Sequence, residues 1–501
     1  MAIKIERDVI TDANRLIGWL SPRDVKYRRS FNRYVSNGAR RDDIYNQYSR
    51  PLSLVYEQYD EDTLPLPTLN ILRSCIETLI SKVSQTKVRP FLNPVQGTFA
   101  TRKICRNGQV FFDEYYDKSG IYKKAIEALR DALIFEYGAL WVDEDTSTVR
   151  KVAPWEYYWD PAEMNFGTLT RCMIRRRQYP LIYLADKLKG EGERFVSALE
   201  RDPSTKVEYI VYFDLYNKMK YHIVDGIIID EKKIDYDVSP VVTIWYSPLI
   251  KGSSSTSLID NQHTLQTRID DISEKIATAL ELNPSNTIFI PKTPGGPDSL
   301  AKRFTNQIGM MVEYNPIPNM GSSPVTVSTP QPIDPMYVSM LEFFEQRMYN
   351  LEGISQLSAQ AKKPAGLNSG VALDTLEDIE SERHNVILQN YIQFLMSVAK
   401  VIIQVFPEDE KILPAQIGRA PITWKELKRH SDAYSIQFSA SSSLSKEPKT
   451  KMEQIEKLLG MQIINPAQVA SLLEFPDLEN AYSVKTASYD ACQKAIERAL
   501  E

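Results

Sequence analysis

Residues 358–373 read Ser-Ala-Gln-Ala-Lys-Lys-Pro-Ala-Gly-Leu-Asn-Ser-Gly-Val-Ala-Leu, and the two patterns this stretch separates decide the architecture. Before it, Tyr337, Leu341, Phe344, Met348 and Leu351 recur at three and four residues, so one apolar stripe runs along a helix. After it, no Pro or Gly interrupts residues 371–406, and Leu376, Ile379, Arg383, Val386, Ile387, Asn390, Phe394, Val398 and Ile402 stay in helical phase. At about 1.5 Å per residue these 36 residues span about 54 Å, enough to cross a domain. Pro364, Gly366 and Gly370 forbid a helix through the middle and act as hinges, while Asn368 and Ser369 are N-cap types for the second helix. The expected product is a small, mobile loop, 358–370, that holds Lys362 and Lys363 between two rods. Gly, Lys and Ser together invite a phosphate-loop reading, but G-x-x-x-x-G-K-[ST] is absent, no Lys follows Gly370, and a helix instead of a strand precedes the loop. On local physics alone, an ordinary interhelical connection remains an equal alternative.

Working outward, a polar cluster at 251–257 precedes a helical pattern over 258–282, with Leu258 or Ile259, Leu265, Ile269, Ile272, Ile276 and Leu280 on one stripe. Its 25 residues reach about 38 Å. Pro284 stops it. Residues 284–335 then hold ten prolines and three short strand candidates, 287–291, 310–314 and 325–328, which describes a compact insertion between two helices.

The runs Gly353-Ile354-Ser355, Ser358-Ala359-Gln360, Lys363-Pro364-Ala365-Gly366-Leu367, Ser369-Gly370-Val371-Ala372-Leu373 and Asp378-Ile379-Glu380-Ser381-Glu382-Arg383 resemble the tunnel-loop and long-helix segment of tailed-bacteriophage portal proteins. The order helix, strand-bearing insertion, returning helix, loop, very long helix is similar to the stem, clip, stem, tunnel loop and wing helix of that family. The resemblance covers most of residues 70–480 and implies a mixed α+β portal fold. It divides the chain into a wing (1–250), a stem helix (251–283), a clip (284–335), a returning stem helix (336–357), a tunnel loop (358–370), a long helix with a wing strand (371–440) and a helical C-terminal crown (441–501). In function it implies a head-to-tail connector of the virion, assembled in the host cytoplasm. Such a ring, usually of twelve subunits, occupies a capsid vertex, and double-stranded DNA is packaged and ejected through it. The implied partners are other copies of the chain, the DNA, a separate ATP-hydrolysing terminase, a head-tail adaptor, and the major capsid and scaffolding proteins. Lys362, Lys363, Asn368 and Ser369 would be the DNA-contacting loop residues. The alternative class is a non-viral interaction scaffold of long helices that conducts no DNA.

The 501 residues exceed one compact core and point to two to four structural units. Sixty Lys and Arg against 65 Asp and Glu give a net charge of −5, which argues against a protein that coats nucleic acid over its whole surface. Contact with DNA should therefore be local. Cys75, Cys105, Cys172 and Cys492 are far apart and form no C-x-x-C pair, which fits a reduced intracellular history without disulfides or zinc. No stretch is expected to span a membrane, and residues 1–20 carry acidic groups where a signal peptide has its apolar core.

Residues 1–50 hold 11 Lys or Arg against 6 Asp or Glu, with Tyr27, Phe31 and Tyr34 among Arg23, Lys26, Arg28, Arg29 and Arg33. Interleaving of this kind can bind nucleic acid. The spacing of four and three favours a solvated helix with an inward aromatic stripe. Further helices are expected over 70–83, 99–118 and 121–137, the last stopped by Gly138, followed by a strand at 139–143. These, with Pro154 and the aromatics Trp155 to Trp159 before Asp160, are again similar to the portal wing. The aromatics read as core and subunit-interface residues more than as a ligand cage. Between 168 and 250 the period drops to two, giving a mainly antiparallel sheet with a hairpin at Asp225-Gly226. Arg175, Arg176 and Arg177 then sit on alternate faces. The C-terminus shows a strand at 434–440 and helices over 446–459, from 465, and over 487–500, with Gly460 ending the first.

His222, His263, His384 and His430 stand in four different elements, and His384 reads as a polar-face residue of the long helix. No H-E-x-x-H, G-x-S-x-G or paired-carboxylate signature occurs. Asp374, Glu377, Asp378, Glu380 and Glu382 make the start of the long helix acidic, which its N-terminal dipole explains without a metal. The expectation is a chain with no catalytic residues, no cofactor and no metal.

Overall fold

The computed structural model of the chain describes residues 8–35, 69–84, 89–95, 98–165, 169–187, 205–247, 255–282, 287–291, 311–314, 326–328, 334–354, 370–407, 422–439 and 460. Helix and strand are mixed, as the periodicities require. In chain order the described elements begin with α1 (Val9–Val35), α2 (Ile71–Ser84), β1 (Arg89–Pro94), α3 (Phe99–Lys118) and α4 (Ile121–Phe135). Then come β2 (Tyr137–Asp143), β3 (Thr148–Val152), β4 (Tyr157–Trp159), α5 (Pro161–Asn165), β5 (Arg171–Pro180) and α6 (Leu181–Lys187). The strands β6 (Lys206–Asp214), β7 (Met219–Val224), β8 (Ile227–Lys233) and β9 (Val241–Trp245) lead to α7 (Leu258–Leu282). Last are β10 (Thr287–Pro291), β11 (Met311–Tyr314), β12 (Thr326–Ser328), α8 (Pro335–Glu352), α9 (Gly370–Val405), α10 (Trp424–Arg429) and β13 (Tyr434–Ser439). The chain forms two compact units, one of Met1–Thr86 with Leu92–Ile436, the other of Lys87–Phe91 with Gln437–Glu501. In the second unit Gly460 is helical, and the other residues of the expected crown, including those that would show whether a helix ends there, lie outside the described ones.

The first unit is built around β2, whose seven residues are all buried. It is the middle strand of an antiparallel three-stranded sheet, β3-β2-β9, with Ala139 opposite Val152 and Thr243. The helices α4 and α9 pack on it, which is why its sequence is a continuous apolar run and not an alternating one. Gly138 does not stop α4. The helix ends at Phe135, Glu136 takes the positive φ (90°), and Gly138 already lies in the strand, paired with Ile244. A Cβ at 138 would sit 1.8 Å from the Ala128 carbonyl oxygen, so glycine is required by the close approach of strand and helix.

The five-stranded sheet β4-β5-β6-β7-β8 is antiparallel throughout. Asp225 and Gly226, at φ 45° and 79°, make the β7–β8 hairpin at the expected place, two left-handed residues matching the strands' twist. Tyr157, Tyr158 and Trp159 of β4 are buried core, and α1 is pinned against them. The Arg23 guanidinium lies over Tyr27, Tyr158 and Trp159 and donates to the Tyr137 hydroxyl (3.2 Å) and the Tyr157 carbonyl (2.9 Å). Lys26 bridges Glu136 (2.8 Å) and Asp260 (2.9 Å), and Tyr27 donates to Glu136 (2.8 Å). For Arg23 and Lys26 the basic-aromatic run is therefore internal architecture. The three arginines of β5 also go separate ways, Arg175 to Glu208, Arg176 over Trp141 and Tyr179, and Arg177 to Asp24.

Between α7 and α8, β10 pairs parallel with β11 and antiparallel with β12. All three expected strands of this insertion are present.

Candidate functional site

The resemblance read from the sequence leads one to expect the working part of this chain between α8 and α9. Of its residues, Lys362, Lys363, Pro364, Gly366, Asn368 and Ser369 lie outside the described ones, and Gly370 is the first residue of α9, so it belongs to the helix and not to the loop. What the structure does place is the end of α8, which precedes these residues in the chain.

α8 starts on Asp334, whose carboxylate accepts the Met336 N–H, with Pro335 at the first position. It ends on Gly353 in the left-handed conformation (φ 70°). The Gly353 N–H reaches the Asn350 carbonyl and the Ile354 N–H the Tyr349 carbonyl, and Tyr349 and Ile354 are both buried, which gives the paired hydrogen bonds and apolar contact of a Schellman stop. At this point four elements are tied to one residue, Glu352. Its carboxylate accepts from the Tyr246 hydroxyl just after β9 (2.8 Å) and from Gln262 Nε2 of α7 (3.0 Å). Gln262 Nε2 also donates to the Met348 carbonyl (3.0 Å). His384 of α9, with its proton on Nε2, donates to the Glu352 carbonyl (3.0 Å). The result is a polar clasp that holds the end of α8 to both long helices. Burial and the Glu352 charge push the Tyr246 hydroxyl well above the usual phenol range, and the same two causes raise the Cys75 thiol, so both stay protonated near neutral pH.

Two expectations about α9 are corrected by its packing. His384 is not on a polar face but buried, because it reaches across to the neighbouring helix end. Val386, placed in the apolar stripe of α9, is 63% exposed, whereas Tyr391, Leu395, Val398, Ala399 and Ile402 form the buried stripe. One part of the membrane expectation is corrected: His384–Val405, 22 residues with a mean hydropathy of 1.6 in an 18-residue window, is long and apolar enough by length and composition to cross a bilayer. In the fold this segment packs on β2, β9 and α2, which accounts for its apolar character.

Sequence reasoning missed Gln262 and Glu352. The available signal was Gln262 and Gln266 falling in phase with the apolar stripe of α7; both are buried, and Gln266 Oε1 accepts the first N–H groups of α2 (Ile71, 3.1 Å; Leu72, 3.3 Å). The stripe itself is covered at Leu258, Ile259, Ile269 and Ile272. On α8 the outcome is the reverse. Met336, Tyr337, Val338, Met340, Phe343 and Leu351 are all exposed, and of the expected stripe Met348 is buried.

Elsewhere, Lys220 is fully buried and ion-paired to Glu144 (2.9 Å) and Asp145 (2.6 Å), and the Lys220 charge helps hold Asp145 at about 2. His222 Nδ1 meets the Tyr209 hydroxyl at 2.7 Å. These are interior pairs that tie strand to strand and strand to turn. Among the described residues no three His, Cys, Asp or Glu side chains group as metal ligands, and Cys75, Cys105 and Cys172 are free, buried thiols. No known family's sequence profile matches the chain, and no curated protein matches it.

Proposed function

We propose that this chain is the subunit of a portal ring, a non-enzymatic channel at a capsid vertex through which double-stranded DNA passes, with a terminase and a tail adaptor docking on it. The observation that carries the reading is α8. Six large apolar side chains stand in water on one helix, more than scattered surface residues explain, and that helix lies in the succession helix, small sheet, helix, long helix. A helix so exposed in one subunit is covered when copies meet, and a head-to-tail contact that closes generates a ring. The clasp at Glu352 suits the same reading, because a loop that contacts moving DNA needs a fixed base.

Sedimentation of the purified chain together with negative-stain imaging tests this: closed rings with an axial hole are expected. Monomers at micromolar concentration across salt conditions would refute it, and oligomers without a hole would favour a helical scaffold. Duplex DNA should bind weakly at physiological salt, since each phosphate clamp adds a barrier to sliding. Nanomolar affinity would replace the sliding-channel reading.

A further inference from the structure

We infer that the N-terminal half of α3, with the end of α10, is a docking surface for an acidic polypeptide segment that carries an apolar residue among its carboxylates. Phe99, Arg102, Lys103 and Arg106 recur at helical spacing on α3, and Arg429 closes α10. The two helices run in opposite senses, since Trp424 meets Phe111 (4.9 Å between rings) while Leu427 faces Gly108, which brings Arg429 toward the Arg106 end. Arg102, Arg106 and Arg429 are exposed and Lys103 is partly so, and none of these four side chains has an ion pair or hydrogen bond among the described residues. By contrast Arg15, Arg23, Arg130, Arg150, Arg171, Arg175 and Arg177 all have anionic or aromatic partners. The nearest acids in sequence do not neutralise the patch. Glu426 is turned to its own Thr423 N–H, and Asp432 is a single charge.

Placement makes the cluster more telling. Arg102 and Lys103 follow the first turn of α3, at the positive end of its dipole, where cations are disfavoured and an anion is attracted by dipole and side chains together. One turn earlier on α3, Phe99 is 87% exposed. Exposed aromatic and arginine side chains on one face are the composition of protein interfaces. A nucleic-acid duplex, whose bases are stacked inside and cannot lie on Phe99, fits less well. Its phosphates would leave Phe99 uncovered, and a long polyanion would have to lie along the rest of a chain whose net charge is −5. A short acidic segment meets the patch alone.

This inference does not depend on the ring reading. Its test uses the full chain and a fluorescent helical peptide in which glutamates recur every three to four residues around a central leucine, compared with the same peptide carrying glutamine and with a short DNA duplex. The glutamate peptide should bind in a salt-sensitive manner, and Arg102→Glu with Arg106→Glu should weaken it by about tenfold or more, because charge pairs reversed in sign repel. Phe99→Ala should weaken it by a smaller factor. All three positions are exposed, so thermal unfolding should not shift. Equal binding to wild type and the double variant, equal binding of the glutamine peptide, or tighter binding of the duplex to this patch would each overturn the inference.

Discussion

Phe343→Ala is the sharpest probe of the assembly contact proposed on α8. Phe343 is 60% exposed, its ring 5.7 Å from that of Phe344. A phenylalanine carries roughly 150–250 Å² to bury, so a neighbouring subunit could remove about 90–150 Å² of it from water, worth about 2–4 kcal/mol at ~25 cal/mol per Å². Allowing for the methyl that remains and for imperfect packing, truncation should weaken each subunit contact by about 2 kcal/mol, or ~30-fold in its association constant. Sedimentation velocity over a dilution series reads this as a rise in the concentration at which rings dissociate. Phe343→Glu should go further and leave monomers, since it would bury an unpaired carboxylate. Neither change touches the subunit's own core, so the unfolding temperature of the dissociated subunit should be unchanged. If both variants assemble at the wild-type concentration, α8 is not the contact and the ring reading loses its main support.

Gly138→Ala should destabilise the first unit by about 4 kcal/mol or prevent folding, because the 1.8 Å approach to the Ala128 carbonyl can be relieved only by moving α4 off β2. A loss of ~1 kcal/mol by thermal or denaturant unfolding would instead fit a simple helix stop. Asp131 is buried beside Lys151 and its carboxyl is raised from 3.8 to about 6 by burial, so the protonated form suits the fold. Its contribution is therefore fully present below pH ~4 and lost as pH rises through 6, by about 3 kcal/mol. Relative to Asp131→Asn, wild-type stability should fall across that window, and parallel pH profiles would refute this. Shortening the segment between Ala361 and Ser369 should leave rings intact and abolish packaging or retention of DNA in procapsids, since none of it belongs to an apolar stripe. Normal filling would remove the loop from the mechanism.

Much of the architecture was legible because it is local. The helices α3 and α7 begin and end where the apolar period and the prolines put them, the three strands of the insertion fall within one residue of their expected bounds, and Asp225-Gly226 turns the hairpin its left-handed residues demand. Such signals depend on residues a few positions apart. What only the tertiary structure decided depends on contacts that the local pattern does not encode, many between residues a hundred or more positions apart. Gly138 looks like a helix stop until Ala128 is found against it, and Arg23 looks like part of a solvated helix face until Tyr137, Tyr158 and Trp159 close around it. His384, Gln262 and Tyr246 are ordinary singly and become a clasp only where α7, α8, α9 and β9 bring them to Glu352. Periodicity says which face of a helix is apolar, but which apolar face is covered by its own chain, as on α7, and which is left in water, as on α8, is set by packing.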